Sequence, residues 1–358
     1  MAAARRPGRI PEMWYVVKRE LPIHSLLYNF LPSWWHRGYG VDFGRRFLFD
    51  PEYRVECYLQ MERILAERFP ELTIGDPDPV ARVVPPDFGN AATAAAAGCE
   101  IAYPQDNYPW NRHLEAEKIG TLRVAEDLAS CFPYSEIVSQ VQTLNRLYGR
   151  DETPLLIPRG VLNDAMLIRG QDFFVDRGEN PQTARHLLDF CQRTLQSVVA
   201  FNAANGRSET AILTNCTVPF VGPQNYSEWL LPLDLEIYEQ IRNNRQPFGV
   251  HHCGILDPYI PAYRRFARVD FLEIGWDSDI ARTLAAFPES LVRYIYSAHF
   301  LLTSSRQAVE RRAREILAQV PAADLRRFSL SVPDIEHGTA DDKLMAILEA
   351  CTCLDDVA

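Results

Sequence analysis

From Thr153 onward, short apolar runs alternate with stretches whose apolar residues recur at helical spacing. Leu155-Leu156-Ile157 precedes a helical pattern over residues 181–205, and Ala211-Ile212-Leu213 precedes one over 223–243. Phe248-Gly249-Val250 leads into a helix over 258–267, and Phe271-Leu272-Glu273-Ile274 follows. Tyr294-Ile295-Tyr296, a helix over 305–319, Phe328-Ser329-Leu330 and a last helix from about residue 340 complete the pattern. Strands alternating with helices argue for parallel βαβ units. Asn180-Pro181 reads as an N-cap with proline at the first helical position, and Gly206 as the stop of that helix. Ser304 with Gln307 makes a capping-box pattern, and Thr339 with Asp342 resembles one. Neither GxGxxG nor GxxxxGK[ST] follows a strand, so both nucleotide fingerprints are absent. Repeated β/α units without a nucleotide loop favour an α/β fold of the (β/α)8 TIM barrel type over a doubly wound sheet.

Residues 1–98 read differently. They are rich in aromatics and prolines, with one amphipathic helix over 51–69 carried by Val55, Leu59, Ile64 and Leu65. Pro70, Pro77, Pro79, Pro85 and Pro86 then interrupt regular structure. The expectation is a helical and irregular N-terminal extension packed on a barrel formed by residues 99–358. Trp34, Trp35, Tyr39 and Phe43 belong either to that packing layer or to an apolar lid over a pocket.

Composition narrows the function. Of 358 residues 47% are hydrophobic, which is ample for a large core and excludes a disordered chain. Lys and Arg number 37 against 47 Asp and Glu, so the net charge is 37 − 47 = −10. An acidic chain lacks the concentrated positive charge needed to hold nucleic-acid phosphates. No apolar run approaches the roughly 18 residues of a membrane span, and residues 1–10 lack the apolar core of a secretory signal. A soluble cytoplasmic protein is expected. The cysteines at 57, 99, 131, 191, 216, 253, 351 and 353 are too scattered for a secreted disulfide scaffold.

A (β/α)8 barrel places its chemistry at the carboxyl ends of its strands. The residues ending the proposed strands are Asn215-Cys216, His251-His252-Cys253-Gly254, Glu273-Ile274-Gly275, His299 and Asp334-Ile335-Glu336-His337. That collects soft and hard metal ligands on one rim. Strand alternation puts His251 and Cys253 on one face, with His252 on the other. Imidazole with thiolate suits Zn²⁺.

His251-x-Cys253-Gly254, then a helix, then Asp270 through Asp277 resembles the uroporphyrinogen decarboxylase superfamily. Asp334-Ile335-Glu336-His337-Gly338-Thr339-Ala340, leading to Asp342 and Leu344, is similar to that superfamily's last strand, turn and helix. Asn215 through Tyr226 to Pro232 is similar to its mid-barrel unit. The resemblance covers roughly residues 99–350. The arginine motif with which uroporphyrinogen decarboxylases bind substrate carboxylates is missing. His-x-Cys-Gly is closer to the methylcobalamin:coenzyme M methyltransferase branch, in which the pair binds zinc. Where that branch has a third, cysteine ligand, this chain has Pro333 beside Asp334. Its carboxylate position falls near Gly275, and Glu273, two residues earlier on the same face, is the expected substitute.

The resemblance implies a zinc-dependent methyltransferase. It would move a methyl group between a corrinoid on a partner protein and a small thiol or a methylated O, N or S compound. His251, Cys253 and Glu273 are the expected metal ligands, and Glu273 and Asp334 the expected catalytic residues. Cys216, His299, Glu336 and His337 are further ligand candidates. The alternatives are a metal-independent decarboxylase of the same superfamily and a non-catalytic ligand-binding barrel.

Overall fold

The computed structural model describes residues 14–353. Its main sheet contains β1 (Trp14–Val16) and β2 (Ser25–Phe30), then, after a small hairpin of β3 (Ile101–Ala102) and β4 (Trp110–Asn111), five further strands. These are β5 (Ala211–Thr214), β6 (Phe248–His252), β7 (Phe271–Ile274), β8 (Leu291–Ile295) and β9 (Phe328–Ile335). The order across the sheet is β1-β2-β9-β8-β7-β6-β5. Within this sheet only the β1/β2 pair is antiparallel. Helices connect the parallel strands, as the alternating pattern predicts, and the apolar triplets of the sequence each lie in or beside a strand from β5 onward.

Closure into an eight-stranded barrel is not seen among the described residues, because β1 and β5 are the edges of this sheet. The expected strand Leu155-Leu156-Ile157 forms no ladder. One hydrogen bond, from Thr214 N to Arg159 O at 3.3 Å, ties that segment to β5. Pro154 and Pro158 explain it, since proline has no N–H to donate to a neighbouring strand. Ser25–Phe30 departs from the expectation in the other direction. It lies in the N-terminal segment read as helical and irregular, yet it pairs with β9 in parallel from Ser25↔Ser329 to Phe30↔Ile335.

Helix boundaries follow local chemistry. Pro51–Arg68 is capped by Asp50, whose carboxylate accepts from Tyr53 N at 3.0 Å. Pro181 does open the helix Pro181–Ala204, but the Asn180 side chain makes no cap bond. The expected caps at Ser304 and Thr339 shift by one residue, to Ser305, whose Oγ accepts from Ala308 N, and to Ala340. The pattern over 223–243 is interrupted by a five-residue π-turn, Tyr226–Leu230, before the helix Leu231–Asn243.

The core is continuous from the sheet into the N-terminal aromatics. Trp34 and Trp35 are buried, and Phe30, Tyr39 and Phe69 pack around Trp34 with ring centroids 4.5–6.4 Å apart. Phe43 is buried against Phe47. These rings are a packing layer. Among the described residues no helix is long and apolar enough to cross a membrane.

Candidate metal centre

In a parallel sheet, paired residues of neighbouring strands point to the same face. The register aligns Thr214, His251, Glu273, Arg293 and Ser329 in one lateral row across β5 to β9. The row is polar, and the residues preceding its members, Leu213, Val250, Leu272, Val292 and Phe328, are buried and apolar. His251 Nδ1 meets Glu273 Oε2 at 2.5 Å. The other carboxylate oxygen of Glu273 lies 3.6 Å from Arg293 and accepts from Ser331 Oγ at 3.4 Å. Glu273 is only 8% exposed, so its charge depends on these partners. Burial alone would raise its pKa; His251 and Arg293 outweigh burial and hold the carboxyl below its ordinary value.

One step toward the strand ends, the cysteines converge. Cys253 Sγ lies 2.8 Å from His251 Nε2 and donates to Cys216 Sγ, also at 2.8 Å. The three ligand atoms of Cys216, His251 and Cys253 all fall within 4.8 Å of one another, which makes a possible Cys-His-Cys metal site. Asn163 buttresses it from the helix Val161–Arg169. Its Oδ1 accepts from Thr217 N at 2.9 Å and Thr217 Oγ1 at 2.6 Å, and its side chain also hydrogen-bonds Cys216.

The electrostatics are those of an ion pair stabilised from both sides. The hydrogen bond from Cys253 draws the Cys216 thiol well below its ordinary value against the opposing effect of burial, and His251 adds to it. Cys253, beside that thiolate and partly desolvated, is held well above the ordinary thiol value. Burial opposes a charge on His251, but Glu273 and Cys216 outweigh it and raise the imidazole to about 10.

Each residue expected from the sequence can be placed. His251 and Cys253 do share one face and one cluster. The third atom of the cluster is Cys216 Sγ, whereas the Glu273 carboxylate lies behind the imidazole on its other nitrogen. Asp334 sits at the rim, where β9 carries a bulge. Phe30 pairs with Ile335 although Tyr28 pairs with Val332, so Pro333 and Asp334 together face Asn29. Asp334 adopts the left-handed conformation, with φ 54°, and its charge acts on His251 and Cys216. Crowding by protein and the nearby Glu336 raise its carboxyl. His299, Glu336 and His337 are exposed and outside the cluster. Sequence reasoning overlooked Asn163 and Arg293. The signal for Arg293 was present: a charged residue at an alternate position of the apolar strand Leu291–Ile295, in line with Glu273.

Close approach of the strand ends requires glycine. A Cβ on Gly275 would lie 2.0 Å from Cys253 O, and one on Gly160 would lie 2.0 Å from Thr214 O. A separate cavity of about 180 Å³, lined by Phe88, Tyr134, Leu156, Arg159 and Ile212 among others, includes none of the three cluster residues.

No family model matches the chain, and no curated protein matches it. Among solved structures, it is similar to a methyltransferase from Methanosarcina mazei, with a TM-score of 0.61. The likeness is one of fold. Identity is 13%, and the match covers 88% of this chain and 88% of the other. A neighbour that matches over nearly its whole length indicates a TIM-like frame of comparable size.

Proposed function

We propose that this chain is a zinc-dependent methyltransferase that moves a methyl group between a corrinoid, carried by a partner protein, and a small thiol or methylated O, N or S compound. The observation that carries this reading is the convergence of Cys216, His251 and Cys253 at the carboxyl ends of adjacent parallel strands. The fold-level likeness to a methyltransferase supports it. We also read residues 82–86 and 154–160, both rich in proline, as the two barrel strands that lack regular ladders.

The donor set fits zinc: two thiolate sulfurs and one imidazole nitrogen leave a fourth position for substrate. When bound, zinc supplies a Lewis acid that keeps a substrate thiol ionised near neutral pH. Cys216, His251 and Cys253 would hold the ion. Glu273 accepts the Nδ1 proton of His251 and so directs Nε2 toward the cysteines, a role that raises the basicity of the ligand nitrogen. Arg293 and Ser331 keep Glu273 ionised and oriented. Asp334, at the rim, acts through its charge on His251 and Cys216.

The test combines metal analysis with methyl transfer. Purified protein is assayed with free methylcobalamin and a panel of thiols, then in reverse with reduced corrinoid and methoxylated or methylthio compounds. Stoichiometric zinc and methyl transfer, both lost in Cys253→Ser, are expected. Metal-free protein that releases CO₂ from a carboxylated compound would replace this reading with a lyase. Inactivity toward both substrate sets would leave a binding barrel.

A further inference from the structure

Between and beside the three cluster residues, two side chains point the opposite way. Strand alternation turns Asn215, next to Cys216, and His252, between His251 and Cys253, into a closed space behind the cluster. Both are at most 2% exposed. There they meet a buried carboxylate. Asn215 Nδ2 donates to Asp234 Oδ2 at 3.1 Å and lies 3.3 Å from Tyr263 Oη. Tyr226 Oη donates to the same Asp234 oxygen at 2.8 Å, and Tyr263 Oη lies 3.0 Å from His252 Nδ1. Tyr226 and Tyr263 are fully buried and pack edge to face, with His252 against Tyr263.

The arrangement is costly as a purely structural device. A carboxylate at 2% exposure is desolvated, and packed apolar side chains of similar volume would stabilise a core at least as well. The chain also departs from regular helix to build it. The π-turn Tyr226–Leu230 sits between the loop after β5 and the helix that carries Asp234, and π-turns of this kind accompany functional sites. What the network gains is geometric definition, since its hydrogen bonds chain Tyr226, Asp234, Asn215, Tyr263 and His252 Nδ1 into one arrangement. It grips β5 one residue before Cys216 and β6 one residue before Cys253. A one-residue change of phase at either strand end would turn its cysteine away from the cluster.

We propose that Asp234, acting through Asn215, Tyr263 and His252, is the positioning residue that brings Cys216 and Cys253 together beside His251. The zinc arm of its test rests on the metal reading above; the pairing of the two thiols does not. Asp234 touches neither metal nor substrate, and its effect is on where the ligand sulfurs stand.

The experiment compares the full chain with Asp234→Asn and Tyr263→Phe. Asp164→Asn serves as control, because Asp164 is another buried carboxylate, hydrogen-bonded by Thr93 and outside the network. Zinc affinity is measured by competition with a chromogenic chelator, and cobalt(II) loading by its thiolate charge-transfer band. Metal-free protein is titrated with phenylarsine oxide, which forms two As–S bonds to a thiol pair and releases its oxygen as water with both thiol protons. Asp234→Asn and Tyr263→Phe are expected to weaken zinc binding about ten- to a hundredfold, to alter the cobalt band, and to weaken capture of the arsenical. Asp164→Asn should change melting temperature while leaving these three readouts at wild-type values. Wild-type zinc affinity and arsenical capture in both network variants would overturn the proposal. If the wild-type chain captures the arsenical and the variants do not, but no zinc binds to any of them, the positioning role stands and the metal reading falls. Should Asp234→Asn not fold, Tyr263→Phe decides the matter by the same readouts.

Discussion

His251 is held on both ring nitrogens, and the two sides have different work. On one side Glu273 accepts the Nδ1 proton; on the other Nε2 faces the two sulfurs. On the proposed metal reading, ligand and orienting residue respond differently to substitution. Cys216→Ser and Cys253→Ser should each abolish stoichiometric zinc, because serine is a poor ligand for this ion. Glu273→Gln should retain zinc with an affinity lowered about ten- to a hundredfold, as read by chelator competition. Equal loss in all three variants would make Glu273 a ligand in its own right. A second residue-scale expectation concerns Asp164, which is fully buried and whose carboxyl is raised by burial to about 7. Its folded value lies above the unfolded value near 4, so the folded state binds its proton more tightly. The stability this contributes is complete below about pH 4 and is lost as pH rises through about 7. Asp164→Asn carries no such proton. Urea midpoints at pH 5 and pH 8 should show a larger fall for wild type than for the variant, and parallel falls would refute the assignment.

At the scale of elements, the site depends on strand ends that approach more closely than side chains permit. Gly275 closes β7 against the Cys253 carbonyl, where an added Cβ would stand 2.0 Å away from rigid backbone. Gly275→Ala should destabilise the fold by about 1–3 kcal/mol and lower zinc affinity, because relief of the clash must move Cys253. Gly249→Ala, where the nearest atoms are at 3.0–3.2 Å, should cost less in a denaturant titration and spare the metal. Much of this level could be read in the sequence. The apolar runs at 211, 248 and 328 mark strands because each is short, carries β-branched or aromatic residues, and is followed by a helical period, and the run at 271 because it is short and follows one. The strand Ser25–Phe30 was hidden by its setting, an almost uninterrupted apolar run inside an aromatic-rich segment that offers no alternation to count. The segment at 155–157 misled in the opposite sense, since its apolar run is real but its flanking prolines prevent a ladder. The His251-x-Cys253 pair followed from strand alternation alone. The choice of Cys216 over Glu273 as third member depended on which nitrogen of His251 each one faces, a rotamer-level fact that spacing does not encode.

Across the whole molecule, the cluster lies at one of the two edges of the sheet. Among the described residues, β5 is an edge strand paired in register only with β6, and beyond it a single backbone hydrogen bond reaches the segment before Val161. β9, by contrast, is central, with β2 on one side and β8 on the other. An ion held by Cys216 from the β5 side and by His251 and Cys253 from the β6 side would act as a cross-link at this edge. Its effect on stability follows from mass action, about 2.7 kcal/mol at a free zinc concentration a hundredfold above the dissociation constant. That stabilisation should raise the melting temperature of wild type and leave Cys253→Ser unchanged. The distribution of the effect is more telling than its size. Amide hydrogen exchange reports local opening as well as global unfolding. Under conditions in which local opening dominates, zinc should slow exchange at residues 211–217 and 248–254 and leave residues 328–335 near their metal-free rates. Uniform slowing across all three segments would mean that the ion acts only through global stability, and no slowing in the first two would place zinc, if it binds, away from Cys216, His251 and Cys253.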